Sequence, residues 1–197
     1  MLIVIRHGRT ESNAAGRLLG RLDIPLDELG ERQAEQLAAT LRRTAGGIDR
    51  VVSSPLQRAR QTAAALGLPV EIDERFIEVD YGDYDGLPLA DIPAELWATW
   101  RSDPDYTPPG GESLASLQTR VSSGLDDLLE AARTETIVVA SHVSPIKASV
   151  AWALGVGDEI TWRLFVQPAS ITRIVIRDAG PVLQTFNEIA HLDQLAT

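Results

Sequence analysis

Leu2-Ile3-Val4-Ile5-Arg6-His7-Gly8-Arg9-Thr10-Glu11-Ser12-Asn13 is the stretch that decides the fold of this chain. Leu2 to Ile5 is an apolar, partly β-branched run of strand length. It stops on Arg6 and His7 and turns at Gly8. A strand inside a sheet gains nothing by ending on an arginine and a histidine. The carboxyl end of a strand, followed by a glycine turn, is where open α/β sheets place ligands. The residue types narrow the ligand. A guanidinium offers a fixed fork of donors matched to phosphate or carboxylate, and a neutral imidazole can act as a nucleophile. Thr10 and Asn13 add polar groups near the same turn. Taken alone, His7 is as readily a structural residue closing a strand, so the rest of the chain must decide.

The totals set the bounds. A chain of 197 residues with 44% apolar content fits one globular domain, 1–197, with room for a small inserted cap. The absence of cysteine excludes disulfides and thiolate zinc sites, and suits the cytoplasm without requiring it. Met1 to Arg6 lacks the basic n-region and small-residue cleavage site of a signal peptide. No apolar run approaches the roughly 20 residues of a membrane helix. A net charge of −10 argues against nucleic acid as a partner. It leaves room for a small phosphorylated substrate, because a local cluster of arginines can make a positive pocket on an acidic body.

Outward from the first turn, residues 14–26 hold two glycines and a proline without any period and read as a long loop. Asp27 is placed to cap a helix whose apolar residues are Leu29, Ala34, Leu37, Ala38 and Leu41. A second strand is predicted from Ile48 to Ser53, then a helix started by Ser54 as N-cap, Pro55 at the first position and Gln57 completing a capping box. Arg58 and Arg60 fall near that start, where they oppose the macrodipole. Arg60 reads as surface; Arg58 is a surface arginine unless an anion is held there. Val70 to Ile72 is a short strand. From Glu74 to Gly86 acids and aromatics alternate around glycines. A helix over 88–100 and a Pro/Gly-rich loop over 102–111 follow, and the whole of 74–111 reads as an insertion over the sheet edge. Ser113 caps what is predicted to be the longest helix, with Leu114, Leu117, Val121, Leu125 and Leu128 as its stripe. Thr136 to Ala140 is the most strand-like run and delivers a second histidine, His142. Ser144-Pro145 predicts another helix start whose amides point back toward His142, an anion site. Lys147, one turn on, reads as solvated in preference to a substrate contact. Ile171–Ile176 and Val182–Phe186 are read as alternating strands that form a hairpin through Asp178-Ala179-Gly180.

Arg6-His7-Gly8, the run Ser53-Ser54-Pro55-Leu56-Gln57-Arg58-Ala59-Arg60, Glu78-Val79-Asp80-Tyr81-Gly82-Asp83-Tyr84-Asp85-Gly86, Gly110-Gly111-Glu112-Ser113 and Ser141-His142 together resemble the histidine phosphatase superfamily, branch 1, the phosphoglycerate mutase-like group. In motif the chain looks most like its α-ribazole-phosphate phosphatase-like and broad-specificity phosphatases. The resemblance implies an α/β fold, a three-layer α/β/α sandwich on a mixed, mostly parallel sheet, with a small cap at about 79–111. It implies that His7 attacks phosphorus to give a phosphohistidine, that Arg6, Arg58 and His142 surround the phosphoryl oxygens, and that Glu78 is the acid and base. Chemistry alone allows Asp80, Asp83 or Asp85 as that acid; the family pattern selects Glu78. Substrate contacts are implied at Thr10, Asn13, Gly20 and Val143. No metal and no cofactor are implied, arginines taking the metal's place, and a homodimer is suggested although no exposed stripe demands one. Leu19 stands where many relatives carry glutamine, so a polar substrate contact is missing, and His142 is followed by Val143 where a glycine is usual.

The expectation is therefore a metal-independent phosphomonoesterase acting on a small metabolite. A cofactor-dependent phosphoglycerate mutase is the alternative. Only about 30 residues separate Glu78 from Gly110, fewer than the larger mutase cap needs, and a short cap admits water. An inactive binding module is a second alternative, which would be expected to have lost His7, Glu78 or an arginine.

Overall fold

The computed structural model describes residues 1–195. Its elements run β1 (Leu2–Arg6), α1 (Glu11–Ala14), α2 (Glu28–Thr44), β2 (Arg50–Ser53), α3 (Gln57–Ala64), β3 (Val70–Ile72), α4 (Ala94–Ser102), α5 (Leu114–Leu129), β4 (Ile137–Ser141), α6 (Val143–Leu154), β5 (Ile171–Arg177) and β6 (Gly180–Glu188). Among the described residues the six strands form one sheet in the order β3-β2-β4-β1-β5-β6. The first four are mutually parallel, and β5 and β6 complete the sheet as an antiparallel hairpin.

Side-chain alternation explains why β1 is apolar throughout. Leu2 and Val4 point to one face, where they pack with Leu117, Val121 and Leu125 of α5 and Ile146 of α6. Ile3 and Ile5 point to the other, against Leu37, Ala38 and Leu41 of α2 and Ala63 of α3. A central parallel strand is buried on both faces and must be apolar at every position until its end. The result is the expected three-layer sandwich. A third, smaller cluster joins Leu18, Ile92, Leu96 and Trp100 with the half-buried rings of Tyr81, Tyr84, Trp97, Tyr106 and Trp162.

Several local expectations are corrected. β2 begins at Arg50, not Ile48, and α2, with 17 residues, is longer than α5, with 16. The 88–100 segment is not one helix: a 3-10 turn, Leu89–Asp91, precedes α4, because Pro93 cannot continue the first piece. A short helix not expected from the sequence, α1, precedes the 14–26 loop and opens on a reciprocal capping box between Thr10 and Asn13. α3 starts at Gln57, whose N–H donates to Asp23 Oδ1 at 2.5 Å, so the cap comes from a distant loop and not from Ser54. α6 starts at Val143 with His142 in the N-cap position, which places Ser144 inside the first turn. β5 does not alternate, since it too is covered on both faces for most of its length.

Phe76 links the sheet to its α5 layer. It is fully buried, and a Cβ added at Gly124 of α5 would lie 2.8 Å from its ring. The Ser141 hydroxyl donates to the Phe76 carbonyl at 2.7 Å, tying the end of β4 to the segment that leads to Glu78. Phe76→Ala is expected to lower unfolding free energy by about 3–5 kcal/mol, the range for an aromatic-to-alanine cavity in a core, read from urea denaturation.

Candidate active site

Register brings the site together. β1 and β4 are parallel neighbours with Arg6 opposite Ser141, so His7 and His142 leave the sheet side by side. Their ring centroids are 5.1 Å apart at an interplanar angle of 56°. On the far side of β4, Ser53 pairs with Ala140, which delivers Ser54 to the same edge. Ser54 Oγ lies 2.7 Å from His142 Nε2. The turn after β1 presses onto the first turn of α2. A Cβ at Gly8 would run into the Gly30 carbonyl oxygen, and one at Gly30 into Arg9. Only two glycines let the backbones approach so closely.

Both imidazoles are held neutral. Burial, reinforced by the Arg58 guanidinium, pushes His7 and His142 well below the usual histidine range. His7 Nδ1 is 2.7 Å from the Gly8 carbonyl oxygen. A carbonyl only accepts, so Nδ1 carries the proton and Nε2 keeps its lone pair. His142 Nδ1 is buried without a protein partner.

Arg6 and Arg58 are buried at the same edge, Arg58 completely. Arg6 donates to Val166 O at 2.7 Å. Arg58 donates to Leu22 O at 2.7 Å and Gly20 O at 2.6 Å. Among the described residues neither has a carboxylate within ion-pair distance, and the Nε of each is buried and unbonded. Burial pulls both guanidiniums down to about 10. Desolvating an ion costs several kcal/mol, whereas a hydrogen bond to a charged group returns about 1.5–3 kcal/mol. Backbone carbonyls and the more distant charge of Glu78 compensate these guanidiniums only in part, an arrangement chemically suited to an anion.

Glu78 closes the arrangement from the segment after β3. It is buried, and its Oε1 accepts from Val79 N at 2.8 Å and Ser144 N at 3.2 Å. The amide at the start of α6 thus holds a carboxylate of the protein itself. Desolvation raises the Glu78 carboxyl above the ordinary range, against those hydrogen bonds and Arg58.

Sequence reasoning missed three supports. Arg120 donates to the carbonyls of Arg75 and Ile77 at 2.7 Å each and of Glu78 at 3.2 Å, and is itself held by Glu112 at 2.8 Å. The Gly-Gly-Glu-Ser motif therefore fixes the backbone that carries Glu78. Asp85, one of the alternative acids on chemistry alone, accepts from Gly20 N at 2.7 Å and Leu22 N at 2.9 Å. The same two residues offer their carbonyls to Arg58, so Asp85 shapes the cradle of that arginine. Thr62 accepts from Gly8 N at 3.0 Å and donates to Arg58 O at 2.8 Å. None of these pairings has a local sequence signal, although the spacing of acids around Tyr84 marks the segment as unusual.

A cavity of about 370 Å³ opens onto this edge, lined by Arg6, His7, Asn13, Glu78, Tyr81 and Val143 among others. Arg58 and His142 are fully buried beside it and are not among its lining residues. Of the implied substrate contacts, Asn13 and Val143 line the cavity. Thr10 and Gly20 lie one layer back: the Thr10 hydroxyl caps α1, and both backbone polar groups of Gly20 are engaged by Asp85 and Arg58. Leu18, Leu19, Leu89 and Phe165 give the mouth an apolar rim, with Phe165 69% exposed. Arg60 is exposed, as expected of a surface residue. Lys147 is half-buried rather than solvated, and lines a second, smaller cavity.

The fold and this edge together define a class. The family model described as the histidine phosphatase superfamily (branch 1) matches residues 2–189. The chain belongs to that superfamily. A bifunctional protein of Mycobacterium tuberculosis is 40% identical over 178 residues, covering 87% of this chain and 49% of that protein, so the chain spans about half the length of that relative. Phosphoserine phosphatase 1 of Hydrogenobacter thermophilus is 34% identical, covering 98% of this chain and 94% of its own. The crystal structure of an Entamoeba histolytica phosphoserine phosphatase mutant with phosphoserine superposes with a TM-score of 0.88 at 31% identity, over 97% of this chain and 98% of that one. Among the described residues no helix is long and apolar enough to cross a membrane.

Asp85→Asn is expected to weaken binding of inorganic phosphate about tenfold or more, because the 20–22 loop loses charge-assisted bonds worth about 1.5–3 kcal/mol. Isothermal titration calorimetry reads the affinity, and an unchanged value would remove Asp85 from the support of Arg58.

Proposed function

We propose that this chain is a phosphomonoesterase that hydrolyses a small phosphorylated metabolite through a phosphohistidine at His7. The observation that carries the reading is the pair of buried guanidiniums, Arg6 and Arg58, without a carboxylate partner beside a neutral His7 whose Nε2 lone pair is free. A phosphoryl group supplies the complementary charge. Positioning and electrostatics do most of the work in phosphoryl transfer, and two arginines with an N–H from His142 Nδ1 suit the three non-bridging oxygens. That role fixes the His142 tautomer: Nδ1 carries the proton and Nε2 accepts from the Ser54 hydroxyl.

His7 Nε2 forms a bond to phosphorus while the ester P–O bond breaks, and the Glu78 carboxyl gives its proton to the leaving alcohol oxygen. The Glu78 carboxylate then takes a proton from water as that water attacks phosphorus. The P–N bond breaks, phosphate leaves, and neutral His7 and protonated Glu78 return. The upward shift of Glu78 suits a group that must be acid in one step and base in the next. Asn13 and Val143 would contact the substrate, and residues 79–111 would serve as a short cap within a single domain. Hydrolysis is favoured over mutase chemistry because that short segment leaves the mouth accessible to water. The reading includes a small phosphorylated substrate as partner, and a cytoplasmic homodimer as its setting, which light scattering tests for assembly.

Phosphate release from a panel of phosphomonoesters without added metal is expected for the wild type and not for His7→Ala. Absence of release by the folded wild type would overturn the reading. Glu78→Gln is expected to slow alkyl phosphates by about 10²–10⁴-fold, the usual contribution of a general acid, and p-nitrophenyl phosphate much less, since its leaving group needs no proton. In single turnovers of an alkyl phosphate, His7 phosphorylation should fall as pH rises through the elevated Glu78 pKa. It should persist in mild acid, because the depressed His7 pKa keeps the nucleophile neutral there. Stopped-flow or rapid-quench rates across pH check both limbs.

A further inference from the structure

The chain contains seventeen arginines and a single lysine, Lys147. That lysine lies on α6 one turn beyond Ser144, the residue whose amide holds Glu78. It is half-buried and lines a cavity of about 170 Å³ walled by Tyr81, Trp97, Trp100 and Trp162. Tyr81 and Val143 line this cavity and also the larger one that contains His7 and Glu78, so the two spaces adjoin across those side chains.

Resting on the reading above, we propose that Lys147 and these aromatic walls form a subsite for a carboxylate on the alcohol part of the substrate, which makes the substrate class carboxylate-bearing phosphomonoesters. Lys147 has no hydrogen-bond or ion-pair partner among the described residues. Arg21, Arg75 and Arg120, by contrast, are each paired with acids. Glu78, the acid nearest in charge effect to Lys147, is already bonded to two amides. Burial lowers the Lys147 ammonium, the direction expected of a cation facing an apolar cavity without its counter-ion. The aromatic side chains that line this cavity with Lys147 lower the local dielectric, which strengthens an ion pair formed there. A lysine suits this place: its compact charge on a flexible stem can follow a carboxylate, where a planar guanidinium would need a fixed fork.

3-Phosphoglycerate and glycerol 3-phosphate differ only in carrying a carboxylate or a hydroxymethyl group, and they form the test pair. The wild type is expected to favour 3-phosphoglycerate in kcat/KM by about tenfold or more, equivalent to about 1.4 kcal/mol. Lys147→Met should reduce that ratio by about tenfold, chiefly through KM, and Lys147→Arg should restore much of it. An equal ratio in wild type and Lys147→Met, or no carboxylate preference in the wild type, overturns the subsite. Because Lys147 is the sole lysine, acylation followed by mass spectrometry reads it directly in the wild type, without a variant that must fold. Protection by 3-phosphoglycerate and not by glycerol 3-phosphate supports the subsite; equal protection, or none, overturns it. Phosphate release from p-nitrophenyl phosphate reports separately on the phosphatase reading. The two conclusions can therefore fail independently.

Discussion

Parallel pairing between β1 and β4, with Arg6 opposite Ser141, is the constraint on which everything else at this edge depends. It converts two histidines far apart in sequence into neighbours about one ring apart. It also explains why both strands are apolar on both faces: a central parallel strand is covered by helices above and below, and its first polar residues can appear only where the layers end. The polar edge is thus a direct consequence of the burial of the strands. The Gly8–Gly30 contact belongs to the same logic, since only bare backbones allow the β1 turn to seat on α2.

Burial acts on the collected groups in opposite directions. It lowers His7 and His142, raises Glu78 and pulls down Arg6 and Arg58, in every case by penalising the charged form. The two arginines add to the effect on His7, because a second positive charge beside them is unfavourable. One low-dielectric pocket therefore holds neutral imidazoles, a carboxyl able to keep its proton, and two guanidiniums side by side. The guanidiniums are kept in place by backbone carbonyls, which orient them without neutralising them.

The supporting shell is mostly acidic and mostly remote in sequence. Asp85 arranges the 20–22 loop around Arg58, Asp23 caps α3, and Glu112 holds Arg120 against the carbonyls that precede and include Glu78. Carboxylates that look interchangeable in the 78–86 run are thus distinguished by their partners. Glu78 is buried against amides beside the histidines, whereas Asp85 serves backbone N–H groups of a loop. The net charge of −10 on the chain coexists with this cationic pocket because the acids near it are turned to structural use.

Much of the architecture could be read from the chain alone. The two-faced apolar runs Leu2–Ile5 and Ile137–Ala140 announced central strands, the 3.6-residue stripes of α2 and α5 announced the flanking layers, and polar residues at the strand ends announced a site. These are local consequences of side-chain periodicity, and the sequence by itself determines them. Cap positions were less legible at Ser54 and Ser144: one hydroxyl was taken by His142, the other serine fell inside a helix, and a loop aspartate capped α3. Only the tertiary structure decided that Asp85 shapes the Arg58 cradle, that Arg120 grips the Glu78 backbone, that Thr10 and Gly20 stand behind the cavity while Asn13 and Val143 line it, and that Lys147 faces aromatic walls. Each of those outcomes depends on which distant groups share a buried space. Hydrogen bonding and desolvation act on that spatial neighbourhood, which no periodicity along the chain encodes.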